Sequence, residues 1–158
     1  HVMAVLRDCL LGPGLQPGSN LGALLTEVSR RTRRRTVVFL LSDFLTTGYA
    51  HELSACSRRH DLVAVRFASP EMMDPPDAIV RAIDPETGRP ISIDFGNRRV
   101  RAAWLERMAL LRQPVDAQLA PARGDRIDVE IPRHPDIEAI AQPLQQFFRR
   151  RERREVYR

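Results

Sequence analysis

Apolar residues recur along this chain at two different spacings, and the alternation between them predicts its elements. Val2, Val5, Leu6, Cys9 and Leu10 fall on one helical face, closed by Gly12 and Pro13. The stretch GPGLQPGSN (12–20) is rich in Gly and Pro and predicts an irregular loop. Leu21, Leu24, Leu25 and Val28 form a second helical stripe that runs into an arginine cluster. TVVFLL (36–41) is a continuous apolar run, the mark of a strand covered on both faces. Tyr49, Leu53, Cys56 and His60 give a third helical stripe, and LVAVRF (62–67) a second, mostly buried strand.

Beyond Ala68 the texture changes, with many prolines and acidic residues. AIVRAI and PISIDF flank the turn signal DPETG, which predicts a β-hairpin with solvated carboxylates at its tip. Trp104, Met108, Leu111 and Val115 make a long helical stripe that Pro114 is expected to kink or interrupt, at about 3 kcal/mol for an interior proline. IDVEI (127–131) alternates apolar with acidic residues and predicts an edge strand with one wet face. Ile137, Ile140, Ala141, Leu144, Phe147 and Phe148 build the last amphipathic helix, which Pro143 should kink or divide. Three strands separated by helices make an α/β layered domain with a mostly parallel sheet and right-handed crossovers. TVVFLL then looks central yet has one obvious neighbour, LVAVRF. Its other side must be covered by an absent N-terminal segment or by a second copy, so a homodimer through strand 36–41 is expected.

At 158 residues the chain is one domain's worth. No stretch approaches a membrane span and no signal peptide shows. The first residue is His1 rather than Met, which reads as a processed or cut-down product. Cys9 and Cys56 lie on apolar helical faces without metal-ligand spacing, as core thiols do in a reducing cytoplasm. All 25 basic residues are Arg, a bias that codon usage explains as well as any ligand. Of the net charge of +5, the segment RRRERREVYR (149–158), with six Arg and two Glu, carries +4 and leaves +1 for the rest. Such a block is ordinarily a solvated, frayed end; contact with nucleic acid or an acidic partner is the alternative.

Ligands of an open parallel sheet bind beyond the carboxyl ends of its strands. Asp43 follows TVVFLL at such an end, with Ser42 before it, and is open to three readings: a turn former, a catalytic acid or a metal ligand. Ser19 and Asn20 could reach the same rim, where a hydroxyl and a carboxylate are the hard oxygens that Mg²⁺ prefers. The plainer readings are that Ser19 or Asn20 caps the following helix and that Asp43 turns the chain. His60 and Asp61 read as turn residues before a strand, His51 as exposed near arginines, and His134 as a helix approach. No Gly-x-Ser-x-Gly elbow, phosphate loop or His-rich metal motif is present, and the chain is not expected to be an enzyme.

Taken in order, RRRTVVFLLSDFL, RRHDLVAVRFASPE, PPDAIVRAIDPETG and FFRRR resemble the C-terminal part of the bacterial domain of unknown function 58 family. The resemblance implies a von Willebrand factor type A-like domain, a Rossmann-like, doubly wound fold, here partial and carrying an inserted β-hairpin. Residues 1–150 would be its C-terminal portion and 151–158 a basic tail. It implies a metal-ion-dependent adhesion site in which Ser19 and Asp43 stand for two of the ligand positions. The Asp-x-Ser-x-Ser motif of that site is absent here, and Ser69 stands where the family usually places Asp. The site would therefore be incomplete, with Mg²⁺ expected only in a full-length protein. Implied too is work alongside a MoxR-type AAA+ ATPase; with the cysteines this gives the expectation of a non-enzymatic, cytoplasmic interaction module, for which Ser42, Asn20, Arg33, Arg34 and Arg35 are the candidate partner-binding residues. The rival is nucleic-acid or acidic-partner binding through Arg30 to Arg35 and the tail.

Overall fold

A computed structural model describes residues 20–84, 87–119, 125–134 and 136–156, together with Arg7. The stripe predicted over Val2 to Leu10, nearly all of the Gly-Pro loop, and Ser19 lie outside the described residues. Helix α1 spans Leu21–Arg31; the side-chain oxygen of Asn20 accepts the Ala23 amide at 2.8 Å and caps it. Arg30 and Arg31 occupy its last turn, where cations oppose the negative end of the helix dipole. Strand β1 (Val37–Ser42), helix α2 (Ala50–Arg59) and strand β2 (Asp61–Ala68) follow. A single turn, α3 (Pro70–Met73), leads to the hairpin of β3 (Ile79–Ile83) and β4 (Pro90–Asp94). Helix α4 (Arg98–Leu119), strand β5 (Asp125–Glu130) and helix α5 (Ile137–Val156) complete the order.

The main sheet is parallel throughout, in the order β1-β2-β5. Its register pairs Phe39 with Val63 and Val65 with Ile127, so odd-numbered residues of all three strands share one face. On that face Val63, Val65, Ile127 and Val129 pack beneath Ile140, Leu144 and Phe147 of α5. On the even face Leu40, Leu62 and Ala64 meet Leu21 and Leu25 of α1 and Leu53 and Cys56 of α2. Tyr49, Leu53, Cys56 and His60 are all buried, so the third helical stripe is real. The hairpin is antiparallel, with Ile79 opposite Asp94 and Ile83 opposite Pro90. At its tip the Asp84 carboxylate accepts the Thr87 hydroxyl at 2.7 Å, and Gly88 takes a left-handed φ of 68°.

Several expectations need correction. Among the described residues β1 is an edge strand and β2 the central one; Val37, Phe39 and Leu41 are 50%, 43% and 60% exposed. An apolar run shows that both faces are apolar, not that both are covered. α5 continues through Pro143 as one helix, because packing of Ile140, Leu144 and Phe147 on both sides of the proline offsets the missing backbone bond. α4 likewise runs through Pro114. The arginine segment is helical as far as Val156 rather than frayed. Its Arg151 bridges the carboxylates of Asp61 and Asp125 and lies 5.4 Å from the Phe147 ring centre. β5 matches its prediction, with Ile127 and Val129 buried and Arg126, Asp128 and Glu130 exposed.

Candidate functional site

The strands β1, β2 and β5 end together at one rim of the sheet. There the register lines up Ser42, Arg66 and Asp128 on the even face. Arg66 is only 5% exposed, and its Nε donates to Asp128 Oδ1 at 2.6 Å. Asp128 also receives Arg126 at 2.9 Å, so one carboxylate serves two guanidinium groups.

The turn after β1 is tightly specified. Ser42 Oγ accepts the Phe44 amide at 3.0 Å, and Asp43 Oδ1 accepts the Leu45 amide at 3.1 Å. Phe44 adopts a left-handed φ of 57°, unusual for a side-chain-bearing residue, and its ring is buried against Tyr49 with centroids 6.0 Å apart. Burial of the ring holds the backbone in this conformation, which leaves the Asp43 side chain exposed at the rim. Tyr49 itself is 3% exposed, and its hydroxyl has no hydrogen-bond partner. Burial raises the phenol's pKa above its ordinary value; Arg66 pulls it down and Asp43 pushes it up, so both charges act on this phenol.

The N-terminus of α1 reaches the same rim. A methyl group at Gly22 would lie 3.6 Å from both Asn20 Oδ1 and the Gly48 carbonyl and 3.7 Å from Glu52 Cδ. Asn20 therefore stands beside the loop that carries Asp43, engaged as a helix cap. On the far side of Arg66 a cleft of about 230 Å³ is lined by Arg66, Ser69, Met73, Arg112, Asp128 and Glu130.

The candidate residues thus divide. Asp43, Ser42 and Asn20 share the carboxyl rim, while Arg33, Arg34 and Arg35 precede β1 and sit at the opposite, amino end of the sheet. Ser19 lies outside the described residues. The basic segments converge at the amino end: Arg59 donates to the Thr32 carbonyl at 3.1 Å, and Arg151 bridges the first residues of β2 and β5. Glu27 partly neutralises this pole through Arg30 and Arg31, whose hydrogen bonds hold its carboxyl at about 2.

Tested as a cation site, the described residues of the rim do not by themselves suffice. Asp43 is its exposed carboxylate, the Ser42 and Asn20 oxygens already accept backbone amides, and Asp128 is taken by two arginines. Among the described residues no three His, Cys, Asp or Glu side chains form a metal cluster. Magnesium prefers six oxygens in octahedral array, so these side chains do not suffice for it. Sequence reasoning passed over Tyr49, Arg66 and Asp128 as site residues. One signal was available: Arg66 is the lone charge inside LVAVRF, and a charge in a buried strand needs a partner.

Residues 1–113 match the model of the family described as "Protein of unknown function DUF58". No curated protein and no solved structure matches the chain. Asp43, Tyr49 and Arg66, together with β1, β2 and the hairpin, all fall inside that span, and the chain belongs to the DUF58 family.

Proposed function

We propose that this chain is a non-enzymatic interaction module that docks a partner protein at the carboxyl rim of its sheet. The resemblance described above makes a MoxR-type AAA+ ATPase the first partner to test. One observation carries the reading: Asp43 is exposed on a turn whose conformation is fixed by the buried ring of Phe44. A strained backbone persists where surrounding structure over-determines it, and such places are enriched in binding sites. The Arg66–Asp128 pair lies on the same rim, and the charges of Asp43 and Arg66 both act on the buried Tyr49 phenol.

The test separates charge from turn geometry. Asp43→Asn keeps an oxygen able to accept the Leu45 amide and removes only the charge. It should weaken capture of the ATPase about tenfold, as loss of a charge-assisted contact does, with an unchanged melting temperature. Unchanged affinity in titrations with the intact partner would remove the docking reading.

A second reading rests on the converging arginines of the amino pole, which fit an acidic partner or nucleic acid. It predicts a logarithmic loss of affinity with salt of about 0.9 per neutralised phosphate on a DNA duplex. A flat titration between low and physiological salt would remove it.

A further inference from the structure

We infer that the cleft at the carboxyl ends of β2 and β5 binds a small zwitterion, a free α-amino acid with an apolar side chain. The cleft lies between those strand ends, the single turn α3 and helix α4, and measures about 230 Å³. Pockets for drug-sized ligands run to roughly 300–1,000 Å³, so this one suits a smaller molecule.

Four charged side chains line it, and they divide into a closed pair and two open groups. Arg66 is buried in the cleft wall, and its Nε donates to Asp128 Oδ1. The other oxygen of Asp128 receives Arg126, so that carboxylate is fully occupied. A buried ion pair is weak evidence for stability, since apolar residues of like volume often serve as well. Arg112 is half-buried on α4, and Glu130 is exposed at the end of β5. Among the described residues neither of these two side chains has a hydrogen-bond or ion-pair partner, and they do not pair with each other.

A guanidinium and a carboxylate that line one small cavity unpaired select a ligand by charge. A simple anion satisfies Arg112 and is repelled by Glu130; a simple cation meets the converse. A molecule that carries both charges satisfies both, and its carboxylate fits the planar fork of an arginine through two parallel bonds. Asp128 does not compete for the ammonium group, because arginines hold both its oxygens. Ala68, Pro70 and Met73 supply the apolar wall, which a short hydrocarbon side chain would cover.

Calorimetric titration of the whole chain with L-leucine tests the inference. Two molecules of the same shape carry one charge each: leucinamide is the cation and 4-methylpentanoate the anion. Leucine is expected to bind with a Kd of about 1 mM or tighter, and each analogue about tenfold more weakly. Arg112→Gln should weaken leucine about tenfold and leave leucinamide unchanged, while Glu130→Gln should weaken leucine and leave 4-methylpentanoate no worse. Met73→Trp, at a side chain already 44% exposed, should fill the cleft and abolish binding with an unchanged melting temperature. No binding of leucine at about 10 mM overturns the inference. So does equal affinity for 4-methylpentanoate, which would make the cleft a plain anion site, or leucine binding that survives both Arg112→Gln and Glu130→Gln. None of these variants alters Asp43, so the docking reading is tested separately.

Discussion

His60 and Tyr49 each bury a polar atom without a partner, and the two atoms have opposite consequences. The Thr32 hydroxyl donates to the Val28 carbonyl, so its 3.3 Å contact with His60 Nε2 requires that Nε2 carry the proton. Nδ1 is then a buried lone pair, and protonating it would create a charge with no acceptor. Burial, then the neighbouring Arg59, accordingly lowers the imidazole pKa below its ordinary 6.5. An unfolded chain therefore binds this proton at a higher pH than the folded one. The stability that neutral His60 preserves is complete above 6.5 and is lost as pH falls through and below that value. Urea midpoints should drop between about pH 7.5 and about pH 5.5, and His60→Gln, which keeps a donor for Thr32, should flatten that drop. Tyr49 differs in that its unpaired group does not titrate near neutrality. Tyr49→Phe removes a desolvated hydroxyl and should be neutral or stabilising by up to about 1 kcal/mol, with partner capture unchanged because the hydroxyl is buried. A loss of stability in urea melts would show instead that the hydroxyl has a partner in the folded chain.

At the scale of elements, the sequence pattern located the described helices and strands except the single turn α3, but could not say what lay against them. Tyr49, Leu53, Cys56 and His60 share a face by spacing alone, and all four are buried. Leu24 belongs to an equally regular stripe and is half exposed, because a stripe names a face and not its neighbour. β1 fails for the same reason. Asp43 was legible because strand ends are recognisable, whereas Arg66 and Asp128 meet only through a register between strands far apart in sequence. The arginine segment shows the limit most sharply. Composition marks it as solvated, yet Arg151 holds the end of α5 against β2 and β5 through Asp61 and Asp125, all three side chains being mostly buried. Arg151→Ala leaves two carboxylates at adjacent strand starts without their cation. It should cost about 1–3 kcal/mol in urea melts and expose the last turns of α5 to proteolysis. Arg149→Ala, on an exposed side chain, should change neither.

Across the whole molecule, the sheet separates two kinds of surface by one strand length, about 20 Å for six residues. The amino pole gathers arginines from before β1, before β2 and from α5; the carboxyl rim gathers Asp43, Ser42, Tyr49 and the Arg66–Asp128 pair. This polarity makes magnesium a discriminating probe. A cation that binds the folded chain alone stabilises it by RT ln(1 + [L]/Kd), so a site with millimolar affinity would add about 1.4 kcal/mol at ten times its Kd. For a chain of this size that is a rise of roughly 3–6 °C in melting temperature. The rim's described donor set predicts less than about 1 °C, because Asp43 already spends one oxygen on the Leu45 amide and, among the described residues, no cluster of carboxylates stands beside it. Chelator and added magnesium should therefore give superimposable melts, with Asp43→Asn indistinguishable in both. A rise of several degrees that Asp43→Asn abolishes would show that Ser19 or another residue outside the described set completes a cation site, and the rim would then have to be redrawn around the metal.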